Sequence, residues 1–401
     1  MTAVLLAALV LLVGVGHLAI WTRLHCYVHS VPIRQQLIDV AELAIYLLTG
    51  TIPLLFVLWW WIASAGLERS LPLSAADPQE RSLLWTLWLG YFSLCLVALA
   101  AAVVLWIIYL RDQRRAASYF REERLEFHDF GPNSERFLAD RSSQIAWNLP
   151  RNEILQLEVN RKELLLPNLP SALDGFTITH LSDLHLKGHM AAEFYREVVD
   201  RANDLQSEMT VISGDIFDRD KCLAWSSETM ARLQALCGVY FVLGNHEIRL
   251  SDPQRARKVL VNDGLIDLGG RHLTLMIRDY PVVLAGNELP WHPPAADMAT
   301  LDTNSYDEPP FKLLVAHTPD QLGWAQKYGF QLMLAGHNHG GQIRLPLVGA
   351  VVSPSRHGTR YSGGVFYAKP TLLHVSRGIS GTSPLRFNCL PEITQLVLRA
   401  A

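Results

Sequence analysis

Three stretches of this sequence decide its fold: residues 177–185 read TITHLSDLH, residues 209–218 read MTVISGDIFD, and residues 239–247 read VYFVLGNHE. Each stretch begins with a short run of apolar, β-forming residues and ends in a cluster of Gly, Ser, Asp, Asn or His. The clusters recur about every 30 residues, which is the length of a strand plus a crossover helix. The spacing therefore predicts an α/β domain built on parallel strands. We place the connecting helices at residues 191–206, 223–236 and 253–262.

Two later stretches repeat the pattern, LLVAH at 313–317 and LMLAGHNH at 332–339. Because parallel strands present their carboxyl ends at one edge of a sheet, the polar side chains that follow them should meet there. These side chains are Asp183, His185, Asp215, Asn245, His317, His337 and His339. Such a mixed oxygen and nitrogen set suits Mn, Fe or Zn better than Ca. Seven ligands exceed the need of one ion, so we expect a pair about 3.5 to 4 Å apart that shares a carboxylate.

Each motif alone has a simpler explanation, because Gly, Asn and Asp all tolerate positive φ and are common in turns. A single His beside a strand is also more often a core or surface residue than a ligand. The joint occurrence of five such clusters, each at a strand end, favours the metal-binding interpretation over turn chemistry.

The series of motifs resembles the calcineurin-like metallophosphoesterase superfamily. The motifs are Asp183-Leu184-His185, Gly214-Asp215-Ile216-Phe217-Asp218-Arg219, Gly244-Asn245-His246-Glu247, His317 and Gly336-His337-Asn338-His339. Later segments, such as 340–346 (GGQIRLP), are similar to a membrane-associated bacterial branch that contains phosphodiesterases and a UDP-diacylglucosamine pyrophosphatase. Asn338 departs from the pattern, in which Thr is commoner.

The resemblance implies a two-sheet αββα sandwich and a role for each motif residue. Asp183, His185 and His339 would hold one metal ion, Asn245, His317 and His337 would hold the other, and Asp215 would bridge the two. His246 would act as the catalytic group beside the leaving oxygen, with Asp218 as its orienting partner. Arg219 would contact a substrate phosphate, or else form a surface ion pair. We expect two divalent ions, Mn first, with Fe, Zn and Mg as alternatives.

The first 110 residues differ in composition from the rest, since they hold only nine of the 73 Asp, Glu, Lys and Arg residues. Three charge-free stretches, at 1–22, 43–67 and 82–110, are each long enough to cross a bilayer as a helix. A cleaved signal peptide is the alternative for the first stretch, but it lacks a basic start. We therefore predict a transmembrane region at 1–110, a juxtamembrane linker at 111–153 and a catalytic domain at 154–401. Apolar residues at 154–159 and 164–166 predict two short strands at the start of that domain.

Arginines near the predicted spans indicate the orientation. Arg23, Arg34 and five arginines in the segment 111–124 lie on one side, whereas the other side has only Arg69 and Arg81. The positive-inside rule then predicts a bacterial inner-membrane protein with its large domain in the cytoplasm. The net charge of −3 and the lack of a long basic run give no reason to expect nucleic acid as a partner.

The sequence thus predicts a membrane-anchored, dinuclear phosphoesterase that hydrolyses a phosphodiester or pyrophosphate bond by attack of a metal-activated hydroxide. The lipid bilayer and a lipid-linked phosphoester are the expected partners. One alternative is a soluble nucleotide or phosphodiester as substrate, with the spans as an anchor only. Another is a membrane transport or sensor protein with a regulatory phosphoesterase domain. His25 and His29, in the first loop, could meet a lipid phosphate or be ordinary interfacial residues.

Overall fold

The computed structural model describes residues 3–64, 78–302, 306 and 308–401. It divides the chain into two compact units, Met1–Tyr109 and Leu110–Ala401. Met1, Arg69 and the end of the predicted second span, residues 65–67, lie outside the described residues.

Three helices form the first unit, and the third continues into the second unit. They are α1 (Ala3–His29), α2 (Gln35–Ser64) and α3 (Pro78–Ala116). Within them, residues 4–29, 35–62 and 83–116 are long and apolar enough to cross a membrane. Trp59 of α2 meets Trp85 of α3 with ring centroids 4.5 Å apart, which fits an aromatic belt at a membrane boundary. The protein is therefore a membrane protein.

The second unit is an α/β fold of two mixed sheets with flanking helices. Its helices are α4 (Ser134–Phe137), α5 (Arg141–Trp147), α6 (Ala192–Asp204), α7 (Pro253–Asn262) and α8 (Leu322–Lys327). Its strands are β1 (Phe120–Asp129), β2 (Gln156–Leu166), β3 (Thr177–Leu181), β4 (Met209–Ser213), β5 (Val239–Val242), β6 (Ile266–Asp267), β7 (His272–Ile277), β8 (Tyr280–Asn287), β9 (Phe311–Ala316), β10 (Leu332–Ala335), β11 (Arg344–Leu345), β12 (Gly349–Ala350), β13 (Gly364–Ala368), β14 (Thr371–Val375) and β15 (Glu392–Ala400).

The strands form a seven-stranded sheet in the order β1-β2-β15-β3-β4-β5-β6 and a six-stranded sheet in the order β13-β14-β10-β9-β8-β7. A third pair, β11 and β12, forms a small separate hairpin. Strands β3, β4 and β5 are parallel neighbours, as are β8, β9 and β10. The five polar clusters follow the carboxyl ends of strands in these two groups. The strand ends therefore lie together at one edge, as predicted.

The sandwich has two apolar cores because successive residues of a strand point to opposite faces. In β5, Tyr240 and Val242 face the core between the sheets, whereas Phe241 faces the core beneath α6 and α7. Both faces are covered, which explains why these strands are continuous apolar runs in the sequence. The two-sheet αββα prediction is confirmed.

The structure differs from the sequence prediction near the predicted linker. Residues 120–129, placed there in the linker, form strand β1, which pairs antiparallel with β2. The two short strands predicted at 154–159 and 164–166 are wrong, because β2 runs unbroken from Gln156 to Leu166. Lys162, in the polar middle of β2, stays within the sheet because it forms an ion pair with the buried Glu392 on β15.

One predicted helix is also wrong. Residues 223–236 contain 3-10 turns at Asp220–Glu228 and Met230–Arg232 instead of an α-helix. The Thr229 hydroxyl donates to the Trp225 carbonyl, and Thr229 itself has non-helical φ and ψ of −124° and −85°. Hydroxyl side chains compete in this way with the backbone bonds of a helix. The predicted helices at 191–206 and 253–262 are confirmed, as α6 and α7.

Candidate metal centre

Sharp turns follow strands β3, β4 and β10 and bring their polar residues together. Five of the predicted ligands have positive φ angles, between 49° and 71°: Asp183, His185, Asp215, His337 and His339. Non-glycine residues rarely adopt this region, and such strain tends to cluster at functional sites. We call these five residues, with Asn245 and His317, the metal cluster.

Two glycines allow the strand ends to approach so closely. Gly214 has φ of +93°, and a Cβ there would lie 2.6 Å from Nδ1 of His317. A Cβ on Gly244 would collide with the carboxylate of Asp215. The glycines of the Gly-Asp and Gly-Asn-His motifs are therefore required by packing around the site.

The ligand atoms converge in two groups that share one carboxylate. Asp183, His185, Asp215 and His339 each offer an atom within 4.8 Å of the others, and Asp215, His317 and His337 do the same. Asn245 joins the second group, because its Oδ1 lies 3.0 Å from Nε2 of His317. Asp215 thus occupies the position between the groups that a bridging ligand needs.

Unsatisfied atoms in this cluster test whether metal ions fit. Asp215 is fully buried, yet its Oδ2 accepts no hydrogen bond from the described residues. This oxygen lies 3.2 Å from Nε2 of His317 and 3.7 Å from Nε2 of His185. Ring nitrogens also face one another across both groups, with Nδ1 of His337 at 3.1 Å from Nε2 of His317 and Nε2 of His339 at 3.2 Å from Nε2 of His185. Unsatisfied buried polar atoms are costly, so the donor set fits bound divalent cations well.

Asp218 holds two imidazoles of the site. Its Oδ2 lies 2.8 Å from Nδ1 of His246, and its Oδ1 lies 2.8 Å from Nδ1 of His185. The sequence predicted the first contact only. A carboxylate on the outer nitrogen of a ligating histidine fixes the ring and its tautomer, which leaves the other nitrogen for a metal.

Buried carboxylates and imidazoles of the site shift one another's pKa values. Although burial opposes ionisation, His317 and His246 hold the pKa of Asp215 well below its usual value. His246 and His185 do the same for the pKa of Asp218, again against the effect of burial. Burial lowers the pKa of His246, with Asp218 acting in the opposite direction. Two ionised carboxylates therefore lie among buried imidazoles.

Two residues that the sequence analysis gave no role also lie around the cluster. They are Glu247, which belongs to a motif, and Trp291, which does not. The buried Glu247 carboxylate accepts the backbone N–H groups of Ile216, at 2.6 Å, and of Gly244, at 2.7 Å, and so holds two of the site loops. Trp291 covers one side, with its ring centroid 4.8 Å from that of His337. Glu247 is visible in its motif, whereas Trp291 follows β8 in a loop without a local signal.

Arg219 is the predicted site residue that lies furthest from this pattern. Arg219 is exposed and lies at the start of the 3-10 turn that follows Asp218. Lys187 is less exposed than Arg219, and its ammonium group donates to the Thr382 carbonyl at 3.0 Å. Burial lowers the pKa of Lys187, and the charge of Asp218 acts in the opposite direction. The phosphate role of Arg219 stays a prediction, and Lys187 is a second cation at this edge.

Comparisons with known proteins agree with the geometry. Residues 176–341 match the family model for calcineurin-like phosphoesterases. The chain is 27% identical over 248 residues to the metallophosphoesterase YkuE of Bacillus subtilis, covering 58% of this chain and 82% of the relative. It is 26% identical over 231 residues to the phosphodiesterase YaeI of Escherichia coli, covering 56% and 82%.

A third relative is the UDP-2,3-diacylglucosamine pyrophosphatase LpxG of Chlamydia muridarum. It is 22% identical over 291 residues, which cover 59% of this chain and 88% of the relative. The chain therefore carries a calcineurin-like metallophosphoesterase domain and is a metal-dependent phosphoric ester hydrolase.

Proposed function

We propose that this calcineurin-like enzyme is a dinuclear phosphodiesterase or pyrophosphatase whose substrate is an amphiphile held at the membrane. One ion would be held by Asp183, His185 and His339 and the other by Asn245, His317 and His337, with Asp215 shared between them. Bound divalent ions would supply Lewis acidity toward a phosphoryl oxygen and a nucleophile drawn from water. Manganese is the expected metal, because the cluster mixes imidazole and oxygen donors.

The other residues would handle the leaving group. The ring of His246 lies beside the cluster, with Nε2 at 3.9 Å from Oδ2 of Asp215. Its protonated form would give a proton to the departing oxygen, which is general acid catalysis. Asp218 orients this ring through Nδ1. Arg219 would reach a non-bridging phosphate oxygen from the exposed rim.

An exposed apolar hairpin supports an amphiphilic substrate, and it is the observation that carries this proposal. Strands β11 and β12 begin a few residues after His339, and the Arg344 side chain donates to the Gly340 carbonyl at 3.1 Å. Leu347 at the hairpin tip is 96% exposed, and Val348 is 51% exposed. Leu347 also has φ of +66°, an unusual conformation for a leucine.

Such a hairpin is suited to contact acyl chains. Apolar side chains exposed together beside a site commonly mark a surface for an apolar ligand or a membrane. LpxG, named for a diacylated substrate, is one of the relatives, and the chain itself has three apolar helices long enough to span a bilayer. A lipid-linked phosphoester would place its phosphate at the metal cluster and its chains against the hairpin.

A matched pair of surface variants of the full-length protein tests this proposal. Leu347→Asn with Val348→Ser removes the apolar tip, and Asn tolerates the positive φ of position 347. Leu236→Asn is the control, because Leu236 is 93% exposed but precedes β5, at the strand's opposite end from the metal cluster. Activity is measured on a lipid-linked pyrophosphate in mixed micelles and on a small chromogenic phosphodiester.

We expect the hairpin variant to lose about tenfold of its lipid activity, because about 1.4 kcal/mol of apolar contact corresponds to that factor. Its activity on the small ester should match that of the control. If the hairpin variant keeps full activity on both substrates, the hairpin does not bind the lipid. The enzyme would then be a tethered hydrolase for soluble nucleotides or phosphodiesters, as in the alternative function.

The regulatory alternative has less support, because the described structure retains all seven ligand side chains in contact distance. We also propose that the catalytic unit faces the cytoplasm of a bacterial inner membrane, on the arginine distribution alone. A reporter fused after Ala401 tests the orientation. Activity of a phosphatase reporter that works only outside the cytoplasm would overturn it.

A further inference from the structure

A second group of possible metal ligands lies in the first unit, far along the chain from the catalytic motifs. His25 and His29 are four residues apart on α1, so both occupy one face of the helix. After a short turn, α2 brings Glu42 opposite this face. From the sequence alone, His25 and His29 could contact a lipid phosphate or be ordinary interfacial residues. No local pattern connected them to Glu42.

The three side chains converge in the structure. One ring nitrogen of His25, one of His29 and one carboxylate oxygen of Glu42 all lie within 4.8 Å of one another. Nε2 of His29 is 3.9 Å from Oε2 of Glu42, and the two ring centroids are 4.4 Å apart. Nδ1 of His25 is buried and makes no hydrogen bond with the described residues.

Tyr46 fixes this arrangement from behind. Its hydroxyl donates to Oε1 of Glu42 at 2.6 Å, and its ring stacks on that of His25 with centroids 5.9 Å apart. The tyrosine thus engages one carboxylate oxygen, while the other oxygen lies toward His29. An outer hydrogen bond of this kind is the usual support for a carboxylate that ligates a metal.

A simple ion pair explains this group less well. The 3.9 Å between His29 and Glu42 is too long for a hydrogen bond, and it leaves the His25 nitrogen unexplained. An acidic residue in a helix that can span a membrane is costly without compensation, and such residues tend to be functional. A cation between the three side chains would compensate both the Glu42 carboxylate and the unbonded nitrogen of His25.

We propose that His25, His29 and Glu42 bind one divalent transition-metal ion of the zinc type. Two imidazoles and one carboxylate are a common protein set for Zn²⁺, and the fourth position is then open to water. Tetrahedral ligation at about 2.0 to 2.2 Å places donor atoms roughly 3.3 to 3.5 Å apart, so the side chains need to close by about 1 Å. The ion would link α1 to α2 beside their connecting turn.

Zinc content of the full-length protein in detergent tests the site independently of phosphoesterase activity. Protein is equilibrated with Zn²⁺, freed of excess ion and analysed for zinc per chain. His25→Ala with His29→Ala removes the proposed ligands. His128→Ala with His272→Ala is the matched control, because it removes two histidines that lie outside all the potential metal-binding groups of the described residues.

We expect the ligand variant to bind one ion fewer per chain than the wild type, and the control to bind the same number. Hydrolysis of a small phosphodiester should be unchanged, because these residues take no part in the chemistry. Glu42→Gln keeps the side-chain shape and should weaken zinc binding at this site at least tenfold. Equal zinc content and affinity in wild type, Glu42→Gln and the ligand variant would overturn the proposal, even if anionic lipid bound less well to the ligand variant.

Discussion

The metal cluster and a second buried polar group lie in the same sandwich, but their charges are compensated differently. The second group, which we call the ion cluster, consists of Lys162, His180, His374, Arg377 and Glu392. Nζ of Lys162 lies 3.2 Å from the Glu392 carboxylate, and the Arg377 guanidinium lies 2.8 Å from it. His374 contacts both Lys162, at 3.2 Å, and His180, at 2.9 Å.

Backbone conformation separates the two clusters as well. None of the five residues in the ion cluster has positive φ, whereas five of the seven in the metal cluster do. In the ion cluster Lys162 and Arg377 both face the Glu392 carboxylate, so these charges are paired within the protein. In the metal cluster the fully buried Oδ2 of Asp215 has no hydrogen-bond partner among the described residues. Burial of charge alone therefore does not mark a candidate ligand site. Backbone strain around a buried carboxylate oxygen without a hydrogen-bond partner among the described residues is what distinguishes the metal cluster here.

The largest effect should follow from Asp215→Ala. The change removes the proposed shared ligand of both groups, so activity should fall to background and both ions should bind more weakly. Elemental analysis of purified protein, together with hydrolysis of a small phosphodiester, measures the two effects. A variant that keeps both ions at wild-type affinity would show that Asp215 does not bridge them.

His246→Ala should have a smaller effect and a different pattern. We expect turnover to fall by about 10²-fold to 10⁴-fold, the scale of lost acid catalysis, while the metal content stays unchanged. Asp218→Asn is the sharper comparison, because Asp218 also holds His185. That variant should lose about 10-fold to 100-fold in metal affinity in addition to turnover. Loss of an ion from His246→Ala would make His246 a ligand instead.

Glu392→Gln should affect stability instead of catalysis. It removes the carboxylate that Lys162 and Arg377 share and leaves them with the more distant Glu122, at 3.6 Å, and Glu158, at 3.4 Å. We expect a loss of about 3 kcal/mol, at the lower end for a broken buried ion pair. Denaturant unfolding in detergent measures this change, and the folded variant should retain its catalytic metal ions. Asp200→Asn is the control, since its ion pair with Arg232 is exposed and contributes at most about 1 kcal/mol. Metal loss in folded Glu392→Gln would link the two clusters.

The smallest effect concerns pH. Burial lowers the pKa of His180 to about 3, whereas the unfolded chain takes up this proton near pH 6.5. Between these values the unfolded state binds more protons, so the folded state loses stability as the pH falls. His180→Gln in chelated protein should remove about 2 kcal/mol of the stability loss between pH 6.5 and 5. An unchanged pH profile would show that His180 is protonated in the folded protein.

The sequence predicted the metal cluster better than the ion cluster for a physical reason. Each proposed ligand follows an apolar strand, so a local pattern places it at the sheet edge. Lys162 and Glu392 are 230 residues apart, and no local signal connects them. Lys162 instead interrupted the apolar pattern of β2, which is why two short strands were predicted there.

The missed contacts of the first unit have the same cause. His25 and Glu42 lie on different helices, and only helix packing shows that their side chains meet. Sequence analysis correctly placed three apolar spans, because length and composition suffice for that. The helix predicted at 223–236 failed because Ser226 and Thr229 sit within an otherwise helix-forming stretch.

In the proposed enzyme Asp215 lies between two divalent ions. Anomalous diffraction from crystals of the full-length protein grown with Mn²⁺, measured at the manganese absorption edge, tests it most directly. We expect two peaks about 3.5 to 4 Å apart, one on each side of the Asp215 carboxylate. A single peak, or two peaks of which only one contacts Asp215, would contradict it.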